Sequence, residues 1–315
     1  MFDQTLLNAI LSLDAYNRGY GEGVYGLSGA AGTQIGSLSI LRAAADPASG
    51  FYAIAYRAAD GQTIISYRGT NADTAGEFWK DASNGYLIGA GLPLGSQGEE
   101  AIRFYQDILA LGVDPQKLSL TGHSLGGGLA GYVAGLYGKS GVLFDNMTFN
   151  NGVVNAYQAA LASYLPPINL VAESTRKLIY GDQTPWAYDF SKLSAYAVTG
   201  ELLAEVLPLR FSQTPGVNYI DSFGGTRSIL DLHSQALLTI LLWANTSPNG
   251  LGNSAGTWHS IGAPLLDSLY DDRLGDALGL SASTGTAGPA DQMMRMIAYS
   301  ALYNPGGAEL GARVW

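Results

Sequence analysis

Apolar and polar positions recur along the chain with two periods, and these divide it into elements. Residues 3–16 carry Leu6, Leu7, Ile10, Leu11 and Leu13 on one broad face, the spacing of an amphipathic helix. A glycine-rich region follows, from Gly19 to Gly36. TQIGSLSILRAA (33–44) then reads as a strand. FYAIAYRAADGQTIISYRGT (51–70) reads as a hairpin, two β-prone runs joined at Asp60-Gly61. SQGEEAIRFYQDILALG (96–112) returns to the helical period, opened by the Ser96/Glu99 capping-box pattern and stopped by Gly112. KLSLT (117–121) is a short strand, and LAGYVAGLYG (129–138) has helical spacing. The next strand candidates are MTFNNG (147–152) and either NLVAE (169–173) or KLIYGD (177–182). The remainder reads as mostly helical, at 191–207, 228–244, 264–279 and 291–303, with a small-residue loop at 281–290.

The order strand, helix, strand, sharp turn, helix predicts an α/β class with a mostly parallel central sheet and helices on both faces. No repeat or linker divides the sequence, so residues 1–315 are expected to form a single domain, with an extra helical C-terminal part over about 240–315. Residues 71–95, long and holding Phe78, Trp79, Tyr86, Leu87 and Ile88, form a candidate lid.

Composition narrows the function. A net charge of −10 leaves no basic face for a phosphate backbone, which argues against nucleic acid as a partner. With 47% hydrophobic and 13% charged residues the chain is globular and sparsely charged, suited to apolar partners. Cysteine is absent, so thiolate catalysis and thiolate metal sites are excluded. The three histidines are dispersed in sequence, and Asp271, Asp272 and Asp276 match no calcium loop, so neither a metal nor another cofactor is expected. The longest apolar run, 236–244, is too short to span a bilayer. The N-terminus lacks a basic region ahead of its apolar stretch and makes a poor signal peptide, so secretion would have to use another route.

Gly122-His123-Ser124-Leu125-Gly126 fits G-x-S-x-G, with a strand before it and a helix after it. In that context the serine is expected to sit on a tight strand-to-helix turn as a nucleophile, the alternative being a plain glycine turn. The flanking glycines leave room for the turn, and the N–H of the next residue, Leu125, faces a forming oxyanion. His123 is adjacent in sequence, and its side chain is expected to point away from Ser124 as a structural residue. A base must then come from downstream, where His233 and His259 are the candidates. For the acid, Asp182 ends the apolar run LIYGD, where an open α/β sheet gathers its functional groups; Asp189, Asp221 and Asp231 are rivals.

GHSLGG, preceded by SYRGT at 66–70, resembles the class 3 lipases, the fungal-lipase-like α/β-hydrolases. The resemblance runs over about residues 50–235. It implies an α/β-hydrolase fold and a second oxyanion donor at Thr70, the last residue of the R-G-T element. It favours His233, because DLHS resembles that family's short histidine-bearing segment. It also favours Asp182, because GDQTP is similar to that family's G-D-x-V-P stretch. The implied protein is a serine ester hydrolase using Ser124, Asp182 and His233, with Thr70 and Leu125 as oxyanion donors. It would act on acylglycerols or other apolar acyl esters, with transient contact at a lipid interface. A phospholipase or polyesterase with the same triad, a thioesterase or amidase, and an inactive lipid- or partner-binding hydrolase fold are the alternatives.

Overall fold

The structure, a computed structural model, describes residues 4–20, 33–35, 38–69, 96–167, 169–201, 203, 215–220, 232–233 and 235–246. Eight strands form one sheet whose spatial order is the chain order. They are β1 (Gln34–Ile35), β2 (Leu38–Asp46), β3 (Phe51–Arg57), β4 (Thr63–Tyr67), β5 (Leu118–His123), β6 (Ser140–Phe144), β7 (Leu193–Val198) and β8 (Val217–Ile220). β1 to β4 pair antiparallel and β4 to β8 pair parallel, a mostly parallel α/β sheet of the hydrolase type. The β3–β4 hairpin turns at Asp60-Gly61 as expected. Gly61 takes φ 85°, and Asp60 Oδ1 accepts from the Gln62 N–H at 3.0 Å.

The described helices are α1 (Gln4–Tyr20), α2 (Ser96–Ala110), α3 (Leu125–Tyr137), α4 (Asn150–Ala162), α5 (Leu170–Tyr180) and α6 (Gln235–Thr246). Alternation along the strands sorts them onto the two faces. In β3, Phe51, Ala53 and Ala55 join one core with residues of α2, α3, α4 and α5, while Tyr52, Ile54 and Tyr56 join a second core with α1 and α6. A central strand covered on both faces explains the unbroken apolar run FYAIAY. The Tyr67 hydroxyl donates to the Ala101 carbonyl at 2.8 Å and ties α2 to β4; burial pushes that phenol up, so it stays a neutral donor.

Four expected elements differ. The strand expected at 147–152 is the entry to α4, and the strand of that region is β6 instead. The strand candidates at 169–173 and 177–182 both lie within or just after α5. Asn169 caps α5 by accepting from Val171 and Ala172 N–H at 3.1 and 3.2 Å, and Ala172, Thr175, Ile179 and Tyr180 face inward at helical spacing. That period is masked in sequence because Leu170 and Val171 face solvent and the buried Thr175 is polar. The helix expected over 191–207 is strand β7 at its start. Leu193, Ala195 and Ala197 are buried on alternate positions, and two small alanines hide the period of two. The candidate lid at 71–95, the loop 281–290 and the helices expected at 264–279 and 291–303 lie outside the described residues.

Candidate active site

β4, β5, β6 and β7 run parallel, so their C-terminal ends lie along one edge of the sheet. Each end delivers a residue to that edge: Gly69 after β4, Ser124 after β5, Asp145 after β6 and Glu201 after β7. Ser124 is 3% exposed and takes φ 57°, ψ −124°, the tight turn its motif predicts. Its N–H donates to Phe144 O at 2.9 Å, and its carbonyl accepts from Gly128 N–H and Met147 N–H at 3.1 and 3.0 Å. The turn needs its glycines. A Cβ on Gly122 would overlap the Gly126 carbonyl, and one on Gly126 would overlap the Tyr67 carbonyl.

The Ser124 hydroxyl lies 2.9 Å from His233 Nε2, and His233 Nδ1 lies 2.7 Å from Glu201 Oε2. A carboxylate can only accept, so Nδ1 carries the proton given to Glu201 and Nε2 offers its lone pair to the hydroxyl. Glu201 is fully buried, and its Oε2 also accepts from the Leu203 N–H at 2.8 Å. His233 stands just ahead of α6, whose Gln235 side chain donates to the Ala9 carbonyl of α1 at 2.8 Å. Leu237, Leu238, Leu241 and Leu242 pack that helix into the second core. The α1–α6 layer thereby fixes the imidazole over the sheet edge.

The arrangement can draw a proton from Ser124 to His233 and stabilise the resulting imidazolium with a buried carboxylate. Leu125 is the first residue of α3, so its N–H belongs to the helix-start donors that lack an intrahelical partner. Thr70 lies outside the described residues, but its neighbour Gly69 packs against the elbow: a Cβ there would stand 3.1 Å from Ser124 Cβ.

Asp182, the acid expected from sequence, does not meet His233. It is exposed in the turn after α5, where Gly181 takes φ 60°. The surrounding segment is tied to the far end of α3, by Trp186 Nε1–H donating to Leu136 O and Tyr137 Oη–H to Ile179 O, each at 2.9 Å. Ser124 caps the other end of that helix, about 18 Å away along its axis at 1.5 Å per residue. Asp189 accepts from the Ser191 N–H at 2.8 Å in the turn before β7. His259, Asp221 and Asp231 lie outside the described residues. Glu201 follows β7, in a stretch whose pattern predicts a helix over 191–207, and so lies outside what the sequence offers as a carboxylate partner for a base. Its signal is SAYAVTGE, an apolar run ending in Gly-Glu as LIYGD ends in Gly-Asp.

His123 makes its contacts elsewhere than at the Ser124 hydroxyl. Its Nδ1 lies 2.9 Å from the Tyr16 hydroxyl, and its Nε2 faces Asp145 Oδ2 at 3.7 Å. The ring lies beside that of His233, with centroids 4.8 Å apart. Two of the three dispersed histidines thus converge with a buried carboxylate, and His123, Asp145 and His233 bring one ligand-capable atom each within 4.8 Å of one another.

The family profile described as "Phospholipase-like: Tle-like phospholipase domain" matches residues 7–227. The chain belongs to the Tle-like phospholipase domain family. The resemblance of GHSLGG and SYRGT to lipases holds at this level, a lipase- or phospholipase-like hydrolase. Among solved structures, the Rhizomucor miehei lipase propeptide complex is similar at 15% identity, with a TM-score of 0.38, covering 69% of this chain and 68% of that one. No curated protein sequence matches the chain. The family match begins within α1 and ends past β8, so it includes Ser124 and Glu201 and stops short of His233. No helix among the described residues is long and apolar enough to cross a membrane.

Proposed function

We propose that this member of the Tle-like family is a serine hydrolase that cleaves carboxylic acyl esters of glycerophospholipids. The observation that carries the proposal is the unbroken chain Ser124 Oγ, His233 Nε2, His233 Nδ1, Glu201 Oε2 at 2.9 and 2.7 Å, on a turn built for a nucleophile. Ser124 attacks the ester carbonyl while His233 takes its proton. The Leu125 N–H, with Thr70 as the expected second donor, holds the negative oxygen of the tetrahedral intermediate. His233 then protonates the leaving alcohol, and a water activated by the same imidazole releases the fatty acid and frees Ser124. Glu201 takes the role first expected of Asp182. The phospholipid preference follows the family's description; acylglycerols, the substrate expected from the motifs, are the second reading.

The test is fatty-acid release from phosphatidylcholine and from triacylglycerol, each dispersed in the same detergent micelle. The proposal expects faster release from the phospholipid and loss of release in Ser124→Ala. Release unaffected by Ser124→Ala contradicts the mechanism. A preference for triacylglycerol contradicts the substrate and leaves the mechanism standing.

A further inference from the structure

Beside the hydrolytic chain lies a pair of groups that the mechanism does not use. His123 and Asp145 are 4% and 0% exposed. His123 Nε2 and Asp145 Oδ2 are both buried, and neither finds a hydrogen-bond partner among the described residues. They face each other across 3.7 Å, too long for a hydrogen bond. Buried polar atoms ordinarily find partners, so two orphans aimed at one point call for an explanation. The backbone is also strained to place one of them. Among the described residues the non-glycine positions with positive φ are Ser124 and Asp145, at 57° and 38°.

The donors suit zinc. Two imidazole nitrogens and one carboxylate oxygen make a common zinc set, whereas calcium and magnesium take oxygen cages. At bonds of about 2.0–2.1 Å, two ligands on a tetrahedral ion stand about 3.3 Å apart. The 3.7 Å gap between His123 Nε2 and Asp145 Oδ2 is close to that spacing.

Each ligand already has the outer partner that a zinc ligand needs. The Tyr16 oxygen sits 2.9 Å from His123 Nδ1 and can accept its N–H once the imidazole proton shifts there from Nε2. The Val198 N–H donates to Asp145 Oδ1 at 3.1 Å and leaves Oδ2 for the metal. Glu201 accepts from His233 Nδ1, so the remaining lone pair of His233 is on Nε2.

We propose that His123, Asp145 and His233 bind one zinc ion, and that its binding switches the hydrolase off. The inhibitory half rests on the reading of His233 as the base. One ligand-capable atom of each residue lies within 4.8 Å of the others, a spread wider than a tetrahedral edge, so the site must contract around an ion. His123 ends β5 and Asp145 follows β6, while His233 lies in the short segment ahead of α6. A bond to the ion occupies His233 Nε2, the atom that lies 2.9 Å from the Ser124 hydroxyl. The lone pair that would take the serine proton becomes a metal bond, and the nucleophile loses its base.

The test uses the full chain, freed of metal, and zinc chloride alone. Calorimetry is expected to give one zinc per chain, unchanged by an equal load of magnesium. Saturating zinc is expected to slow both ester hydrolysis and fluorophosphonate labelling by about 100-fold or more, the contribution of a general base, and EDTA restores both. His123→Gln and Asp145→Asn are each expected to bind zinc about 100-fold more weakly, at the upper end of what losing even an outer partner costs, and to keep their own metal-free rates at concentrations that stop the parent. Should either variant fail to fold, the other variant and the cobalt(II) spectrum of the parent decide, since a tetrahedral site gives intense visible bands. Zinc binding that is absent, or equally tight in the folded variants, overturns the site. Stoichiometric binding with an unchanged rate overturns the switch. If the metal-free parent neither hydrolyses nor labels, the hydrolase reading fails, while calorimetry still decides the site.

Discussion

Replacing Glu201 by glutamine removes one charge from the site and little else. The carboxylate is fully buried, and its Oε2 accepts from both Leu203 N–H and His233 Nδ1, at 2.8 and 2.7 Å. The amide has nearly the same volume, and the Leu203 N–H draws its oxygen to the same place, so His233 keeps an acceptor. What disappears is the attraction between the carboxylate and the imidazolium that forms as Ser124 gives up its proton. With charge centres about 4 Å apart and an effective dielectric near 20, that attraction is about 4 kcal/mol. At 1.36 kcal/mol per decade this is about a 10³-fold loss in kcat. Where the amide turns its NH2 toward His233 instead, the preferred tautomer is lost as well and the range extends toward 10⁴, the size seen when the acid of a serine triad becomes an amide. Initial rates on a soluble chromogenic ester measure kcat without interfacial effects, and circular dichroism checks the fold. Asp182→Asn is the control: on an exposed turn at the far end of α3, it should stay within about twofold of the parent. Glu201→Gln retaining more than a tenth of the parent rate, or Asp182→Asn losing as much as Glu201→Gln, would refute the assignment of the acid.

Two further outcomes follow from the fold. Gly126→Ala should abolish activity and sharply lower the yield of folded protein, because its Cβ would meet the Tyr67 carbonyl, which β4 cannot withdraw; activity on a chromogenic ester and thermal melting check it. The Ser191 N–H holds the Asp189 carboxyl below the usual carboxylate range. A lowered folded value adds stability that is fully present above the ordinary carboxylate value and lost as pH falls through the lowered one. The stability difference between the parent and Asp189→Asn should therefore be constant above about pH 4 and shrink below it, as urea unfolding at stepped pH would show.

The tight turn at Ser124 was legible in sequence because its constraint is local. Gly122, Ser124 and Gly126 sit within five residues, and the strand before and helix after them are strongly patterned. The hairpin was legible for the same reason, with aromatic and β-branched runs meeting at Asp60-Gly61. His233 was reached through resemblance, and the structure brings it to Ser124. The carboxylate that meets His233, Glu201, was not legible. A carboxylate does follow a strand end, but the strand is β7, whose alanines blunt the alternation. The apolar stretch before Asp182 belongs to α5, whose exposed Leu170 and Val171 counterfeit a strand. The meeting of His123 with Asp145 was hidden for another reason. The two residues follow each other across neighbouring parallel strands, a register no local pattern carries.

The central claim, that Ser124 is a nucleophile activated by His233 and Glu201, is tested most directly by covalent labelling read on the peptide. The metal-free full chain is treated with a fluorophosphonate and mapped by mass spectrometry. The account predicts a single adduct on Ser124, absent in Ser124→Ala and formed about 100-fold or more slowly in His233→Ala. An unlabelled chain, an adduct on another serine, or labelling at the parent rate in His233→Ala would contradict it.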